Sequence, residues 1–392
     1  LYFDNDSRER ESKLRFRLNK LAGRWTHSYG FSLQRVDYSN QTRNLVDDFF
    51  YDTEIDFYRY GIFAQSSASF FKDRFTLSAG LRADGNSFTE NGHDILRTTS
   101  PRLALSYKLS ESGRWSANAS VGRYFKLPPY TVLGFRNNEG AAVNATSSYI
   151  RSDHLVAGLE YLLSESARIA VEGFAKWYDD YPVSQIDSIS LANKGGDFEV
   201  LGNEPVASVG RGRTYGVELL YQQKFNGQFY AIGALTLYKS EFTGFDRSRF
   251  IPSTWDNNIL ISLLGGYKLG SNWEVSMRFR YLGQAPYPPL DREATLDAYP
   301  AIILDYSRLG EVRLEPFSQL DMRVDKKWNF RKVSLDLYLD IQNLLGTALP
   351  EPPLYGLARN EAGELEDPRM LVVVNAENTG EVIPSIGLVL NF

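Results

Sequence analysis

Three histidines, His27, His93 and His154, and the acidic pair Asp179 and Asp180 are the residues whose types would suit catalysis or metal binding. Acid–base or nucleophilic chemistry needs a histidine placed beside a serine or a carboxylate. Here His27 shares its phase with Trp25 and Tyr29, His93 sits in a polar stretch, and His154 opens another alternating segment. No fixed-spacing motif ties a serine to any of them, so no catalytic residue and no enzymatic activity is expected. Asp179 and Asp180 lack the regular ligand spacing of a calcium loop, and the chain has no Cys. No metal site, disulfide or cofactor is expected.

Recognition is the other chemistry on offer. Tyr and Arg dominate binding hot spots, and Tyr130, Arg136, Tyr178, Tyr181, Tyr287 and Tyr355 lie in or beside long polar stretches. Each also reads as a rim aromatic or a solvated loop charge. Pro-rich runs at Leu127 to Tyr130, Pro286 to Pro289 and Pro350 to Pro353 restrict loop freedom and so lower the entropy lost on capturing a ligand.

What must position these side chains is a series of period-two segments. Leu14, Phe16 and Leu18 precede Trp25, Tyr29, Phe31 and Leu33; Leu155, Ala157, Leu159 and Tyr161 precede Ile169, Val171, Ala175 and Trp177; Tyr215, Val217, Leu219 and Tyr221 precede Phe229, Ala231, Leu235 and Leu237. Alternation over such lengths is the mark of strands with one apolar face. The whole chain read this way gives fifteen strands. Short turns, such as Ala22-Gly23, Asn226-Gly227 and Gly270-Ser271, join them in pairs. Long polar stretches, at 37 to 53, 85 to 98, 126 to 152, 179 to 208, 242 to 254, 285 to 316 and 345 to 383, separate the pairs. Tight turns on one side and extended loops on the other are the asymmetry of outer-membrane barrels.

The two strand faces fit that reading. Trp25, Trp115, Trp177, Trp255, Trp273 and Trp328 fall at strand ends in phase with the apolar positions, as an aromatic girdle requires. On the opposite face lie Arg278, Arg280, Asp321, Arg323, Asp325, Asp336 and Asp340. An Arg or Lys on the lipid face at the bilayer midplane costs about 2–4 kcal/mol, so these charges are expected to point into a lumen. The expected fold is all-β: a transmembrane antiparallel up-and-down barrel.

Other classes are excluded. No stretch approaches 18 apolar residues free of charge, which removes membrane-spanning helices and leaves spanning strands. The formal net charge of −5 with mixed signs provides no basic stripe for nucleic acid. The chain begins with Leu1 and no charged-then-apolar leader follows, so any export signal is expected upstream.

The runs from Ser100 to Leu109, Asp153 to Tyr161, Arg213 to Glu218, Leu320 to Lys327, Leu335 to Asn343 and Pro384 to Phe392 together resemble the TonB-dependent outer-membrane receptors, particularly those of Bacteroidetes. The resemblance implies a 22-stranded barrel around an N-terminal plug. Residues 1–392 would then be the C-terminal part of that single barrel, with the plug and about seven strands upstream. It also implies integral residence in the outer membrane, contact with its lipid, coupling to TonB through the plug, and active uptake of a scarce or bulky ligand. A surface lipoprotein is a further expected partner. Ile386, Leu388, Leu390 and Phe392 resemble the C-terminal signal read by the outer-membrane assembly machinery. Two alternatives stay open: a passive porin-like channel, and a barrel platform for a surface lipoprotein or an assembly or secretion complex. An open sheet in lipid leaves two edges of unpaired backbone groups, each costing several kcal/mol, so the first and last strands are expected to bond to strands outside this chain.

Overall fold

The computed structural model describes residues 3–44, 49–137, 139–194, 203–374 and 379–392. Parts of the stretches expected as loops at 37 to 53, 126 to 152, 179 to 208 and 345 to 383 lie outside the described residues.

Ten long strands open the chain: β1 (Phe3–Ala22), β2 (Trp25–Asn44), β3 (Phe49–Phe70), β4 (Phe75–Asn86), β5 (Ser100–Lys108), β6 (Trp115–Lys126), β7 (Ile150–Leu162), β8 (Ala167–Ser184), β9 (Val206–Gln223) and β10 (Phe229–Phe242). A two-residue strand, β11 (Ile251–Pro252), folds back on β10, and β12 (Ile259–Leu269) and β13 (Trp273–Leu282) continue the series. The pair β14 (Pro286–Tyr287) and β15 (Val312–Arg313) interrupts it, followed by β16 (Phe317–Asn329) and β17 (Ser334–Gln342). A second small pair, β18 (Tyr355–Leu357) and β19 (Leu371–Val373), precedes the last long strand, β20 (Ile383–Asn391).

The fifteen long strands form one antiparallel sheet in which each pairs with the next along the chain, as the alternation predicts. Its two edges are β1, bonded to β2, and β20, bonded to β17; among the described residues, Leu14 to Leu21 does not pair with Ile386 to Phe392. The tight turns occur where expected, and the backbone explains the residues chosen. Gly23 and Gly227 have φ of +61° and +100°, a region that costs Gly little. At the β12–β13 turn, Ser271 and Asn272 both have φ near +60°, the geometry of a two-residue hairpin whose twist suits the strands.

Cross-strand register separates the faces. Leu159 lies opposite Val171, Val171 opposite Leu219, and Leu219 opposite Leu235, so one apolar band crosses the sheet. Its side chains are exposed, Leu388 to 62% and Met277 to 49%, which in water would be an unusually large apolar surface. A hydrocarbon environment is the physical resolution.

Three expectations need correction. The stretch 37 to 53 is largely strand: β2 runs to Asn44 and β3 starts at Phe49. It reads as a loop because its inward positions include Asn40, Thr42 and Thr53, yet these are buried and bonded, Thr42 donating to Asn40 at 2.7 Å and Thr53 to the Gly134 carbonyl at 2.5 Å. Tyr178 and Tyr181 likewise belong to β8, not to the loop after it. A bulge at Asp179 and Asp180, with Asp180 at φ +58°, shifts the register so that the ladder resumes at Tyr181 opposite Gly210; one extra residue in a strand does this. Trp255 lies in the connection before β12 rather than on a strand.

Candidate functional site

The long-loop end of the sheet is folded inward. After β6, Leu127 and the short helix α1 (Tyr130–Leu133) lie on the inner faces of β2 and β3. They bury Val36, Tyr38, Ile55 and Phe57, and Leu133 is itself fully buried. Tyr130 is the pin. Its ring meets Phe57 edge-on at 5.7 Å and Tyr38 at 5.9 Å, and its hydroxyl donates to Glu11 at 2.6 Å while accepting from Arg59 at 3.0 Å. Burial, and then the bond to Glu11, push the phenol up to about 12, so it stays protonated and keeps donating at neutral pH.

Buried amides tie the loops to one another. Asn144 is fully buried; it donates to the carbonyls of Val132 and Glu204, both at 2.8 Å, and accepts from the Val206 amide at 2.9 Å. Asn193 donates to the carbonyls of Ile251 and Pro252 at 3.1 and 2.7 Å. Lys194 bonds Asp187 and, at 2.6 Å, Glu204. Burial pulls the Lys194 ammonium down, but its carboxylate partners outweigh this and hold it above the usual lysine value. An unpaired buried amide costs about 1–3 kcal/mol, so the bonds made by both ends of the Asn144 amide and by the amide nitrogen of Asn193 favour one loop arrangement.

Beyond β13 the mouth stays open. A cavity of about 1010 Å³ is lined by Tyr287, Arg313, Glu315, Leu349, Glu351 and Leu354. A neighbouring one of about 680 Å³ adds Arg280, Gln319 and Asn343 and shares Leu349. Arg313 holds the wall through the fully buried Asp256, bonding its carboxylate at 2.9 Å and its carbonyl at 2.7 Å. Burial raises the Tyr287 phenol above its ordinary value.

The inner face below is an ion-pair ladder. Arg278 lies opposite Asp321 and pairs with it; Arg280 donates to Gln319 at 2.8 Å. Arg323 pairs with Asp325 at 2.6 Å and stacks 3.8 Å from the centre of the Tyr338 ring. Asp336 and Asp340 occupy the same face of β17, opposite Lys327 and Arg323. On the other face, Ile386, Leu388 and Leu390 are exposed, and Phe392 ends the chain at 95% exposure.

The residues expected for recognition therefore disperse. Tyr130 anchors α1. Tyr178 and Tyr181 pack on Phe242 at 5.3 and 4.7 Å on the inner face. Arg136 spans its own loop, donating to the Gly140 carbonyl at 2.9 Å. Tyr287 lines the large cavity, and Tyr355 lies on the β18–β19 pair within the last loop. Asn144, Asn193, Asp256 and Arg313 carried no periodic signal, because their roles rest on contacts far along the chain. Among the described residues, no group of three or more His, Asp or Glu is arranged to hold a metal ion.

Comparison with known proteins follows the same lines. The family described as TonB dependent receptor-like, beta-barrel, matches residues 2–344. Among solved structures, the FrpB iron transporter from Neisseria meningitidis is 15% identical with a TM-score of 0.61, covering 98% of this chain and 55% of that one. BauA, the ferric preacinetobactin receptor from Acinetobacter baumannii, is 12% identical at TM-score 0.59, covering 99% and 54%. The outer membrane transporter YddB from Escherichia coli is 11% identical at 0.57, with the same coverage. These likenesses concern the fold, and the chain spans about half the length of the structures it matches. No curated protein matches it in sequence.

Proposed function

Because this chain belongs to the TonB dependent receptor-like, beta-barrel family, whose members are integral to the bacterial outer membrane, we propose that it forms most of the wall and the outer vestibule of a receptor that imports a scarce or bulky ligand. The energy comes from TonB, acting through a plug held by the barrel. The wall is completed to about 22 strands by segments that bond β1 and β20, whose free edges lipid cannot satisfy.

The observation that carries this reading is the inward fold of the loops over a charged lumen. A passive pore conducts best with an open, water-filled mouth. Here α1 is sunk onto β2 and β3, and buried amides lock its neighbours, which builds a preorganised surface above the lumen. The open cavity beside Tyr287 and Arg280 is where ligand first docks.

The test is growth of a strain lacking the full-length gene on defined iron, vitamin, glycan and peptide sources. A defect on one source that is reproduced by loss of TonB supports energised uptake. Uptake indifferent to TonB, together with rapid swelling of liposomes holding the purified protein, would instead identify a passive channel.

A further inference from the structure

The apolar band on the outer wall ends abruptly at the long-loop end of β6 to β10. On β6 the outward residues pass from Val121 to Arg123, on β7 from Leu155 to Asp153 and Arg151, and on β8 from Trp177 to Asp179. On β9 they pass from Tyr215 to Arg213 and Arg211, and on β10 from Leu237 to Lys239 and Glu241. With Arg247 from the following loop, six cations meet the three outward carboxylates Asp153, Asp179 and Glu241, and the Asp180 carboxylate of the bulge lies close to Arg151 and Arg247. On β12, β13, β16 and β17 the matching outward positions, Ile259, Tyr281, Ser318 and Ile341, carry no charge, whereas β1 to β3 carry charges of both signs there, among them Arg10, Arg35, Asp37 and Asp56.

The three outward carboxylates are already held. Asp153 takes both nitrogens of Arg123 at 2.7 and 3.0 Å, Asp179 takes Arg151 at 2.5 Å, and Glu241 takes Arg213 at 2.7 Å and Lys239 at 2.5 Å. Arg211 and Arg247 stand farther off, 3.4 and 3.7 Å from Asp179, with about half of each side chain exposed. Beside Arg211, at the upper end of the band, lies a recess of about 390 Å³ walled by Arg151, Asp179, Arg211, Arg213, Trp177 and Phe250. Arg213 is braced 4.2 Å from the Phe250 ring centre, and Trp177 is 49% exposed at its floor.

We infer that this recess binds the phosphate of an outer-leaflet lipid. Guanidinium groups recognise phosphate by paired, charge-assisted bonds, and basic pockets at the edge of a hydrocarbon layer select phosphorylated headgroups. The acyl chains of such a lipid continue down the surface of Trp177, Ala175 and Val171, which lie in line below the recess on the outward face of β8. A soluble phosphate has no use for that apolar floor. The excess charge, the recess and the band end coincide on β7 to β9, which places the ligand in the bilayer rather than in the lumen.

The experiment uses native mass spectrometry of the full-length protein in detergent doped with dioleoylphosphatidic acid or with dioleoylglycerol, which differ by the phosphate. Wild-type protein retains phosphatidic acid in preference to dioleoylglycerol, and excess inorganic phosphate does not displace it. The double variant Arg211→Gln, Arg247→Gln weakens phosphatidic acid binding about tenfold and leaves dioleoylglycerol binding unchanged. Arg308→Gln, on a distant loop, changes neither. Equal retention of the two lipids by wild-type protein overturns the inference even if the double variant fails to fold. So does complete displacement by inorganic phosphate, which would make the recess a site for free anions, and so does a folded double variant that binds as wild type does.

Discussion

Arg278 places two nitrogens, at 2.8 and 2.6 Å, on a single carboxylate oxygen of Asp321, the residue directly opposite it across β13 and β16. The other oxygen of Asp321 accepts from Gln319 at 2.7 Å and from the backbone amide of Asn343 at 2.9 Å. One inner-face carboxylate, only 6% exposed, thus joins two strands to the start of the last long loop.

Removing that carboxylate leaves a cation and a backbone amide without their partner. Asp321→Ala is expected to cost about 1–3 kcal/mol, below the value for a fully buried pair because the Arg278 side chain is half exposed. Denaturant unfolding from detergent measures it. The double variant with Arg278→Ala should be less destabilised than the two single costs summed, and strict additivity would show the pair to be uncoupled.

Tyr130 separates packing from hydrogen bonding. Tyr130→Phe keeps the ring between Tyr38 and Phe57 and loses the bonds to Glu11 and Arg59, costing about 1 kcal/mol. Tyr130→Ala loses the ring as well, at about 3–4 kcal/mol. The readout is tryptic cleavage after Arg136, slow in wild type, somewhat faster in the Phe variant and fast in the Ala variant. Equal rates in all three would mean that α1 is not held by this residue.

Asn144 has no substitute that satisfies two carbonyls and one amide together. Asn144→Ala is expected to lower local stability by about 2–3 kcal/mol, seen as accelerated hydrogen exchange at the Val206 amide with the exchange of β12 and β13 unchanged.

The salt bridges of Lys194 set a pH limit on its loop. The ammonium is held above the ordinary lysine value of 10.5, so its stabilisation is complete below that value and is lost as pH rises through the higher folded value. The chain has no Cys, so a single Ile186→Cys carries a fluorophore uniquely. Its anisotropy should hold from neutral pH to about 10.5 and fall above, whereas Lys194→Met should give the low value already at pH 7.

The physical origin of each signal decided what could be read from sequence. The fifteen strands and the two faces rest on alternation, a local property, and Leu155 to Trp177 displays both strands of a hairpin within a single stretch. Where the inward side of a strand is polar and covered by a distant loop, as at Asn40, Thr42 and Thr53 beneath Gly134 and α1, alternation vanishes and a strand looks like a loop. The β14–β15 and β18–β19 pairs and helix α2 (Arg292–Ala298) escaped for a related reason: they are too short to show a period. The mouth was the least legible part. Tyr130 stood out as an aromatic, but its partner Glu11 lies 119 residues away, and the amides of Asn144 and Asn193 look like any loop asparagine until their carbonyls are in place.

The account depends most on which medium wets each face of the strands. Nitroxide labels placed singly at Leu159, Glu160, Val171 and Glu172 of the full-length protein in bilayers report this through relaxation by oxygen, which concentrates in lipid, and by a water-soluble nickel chelate. Oxygen should dominate at positions 159 and 171 and nickel at 160 and 172, alternating as the strand pleat requires. Strong nickel relaxation at Leu159 and Val171, or protection of both positions from both reagents, would show that water or protein, not lipid, covers the apolar band.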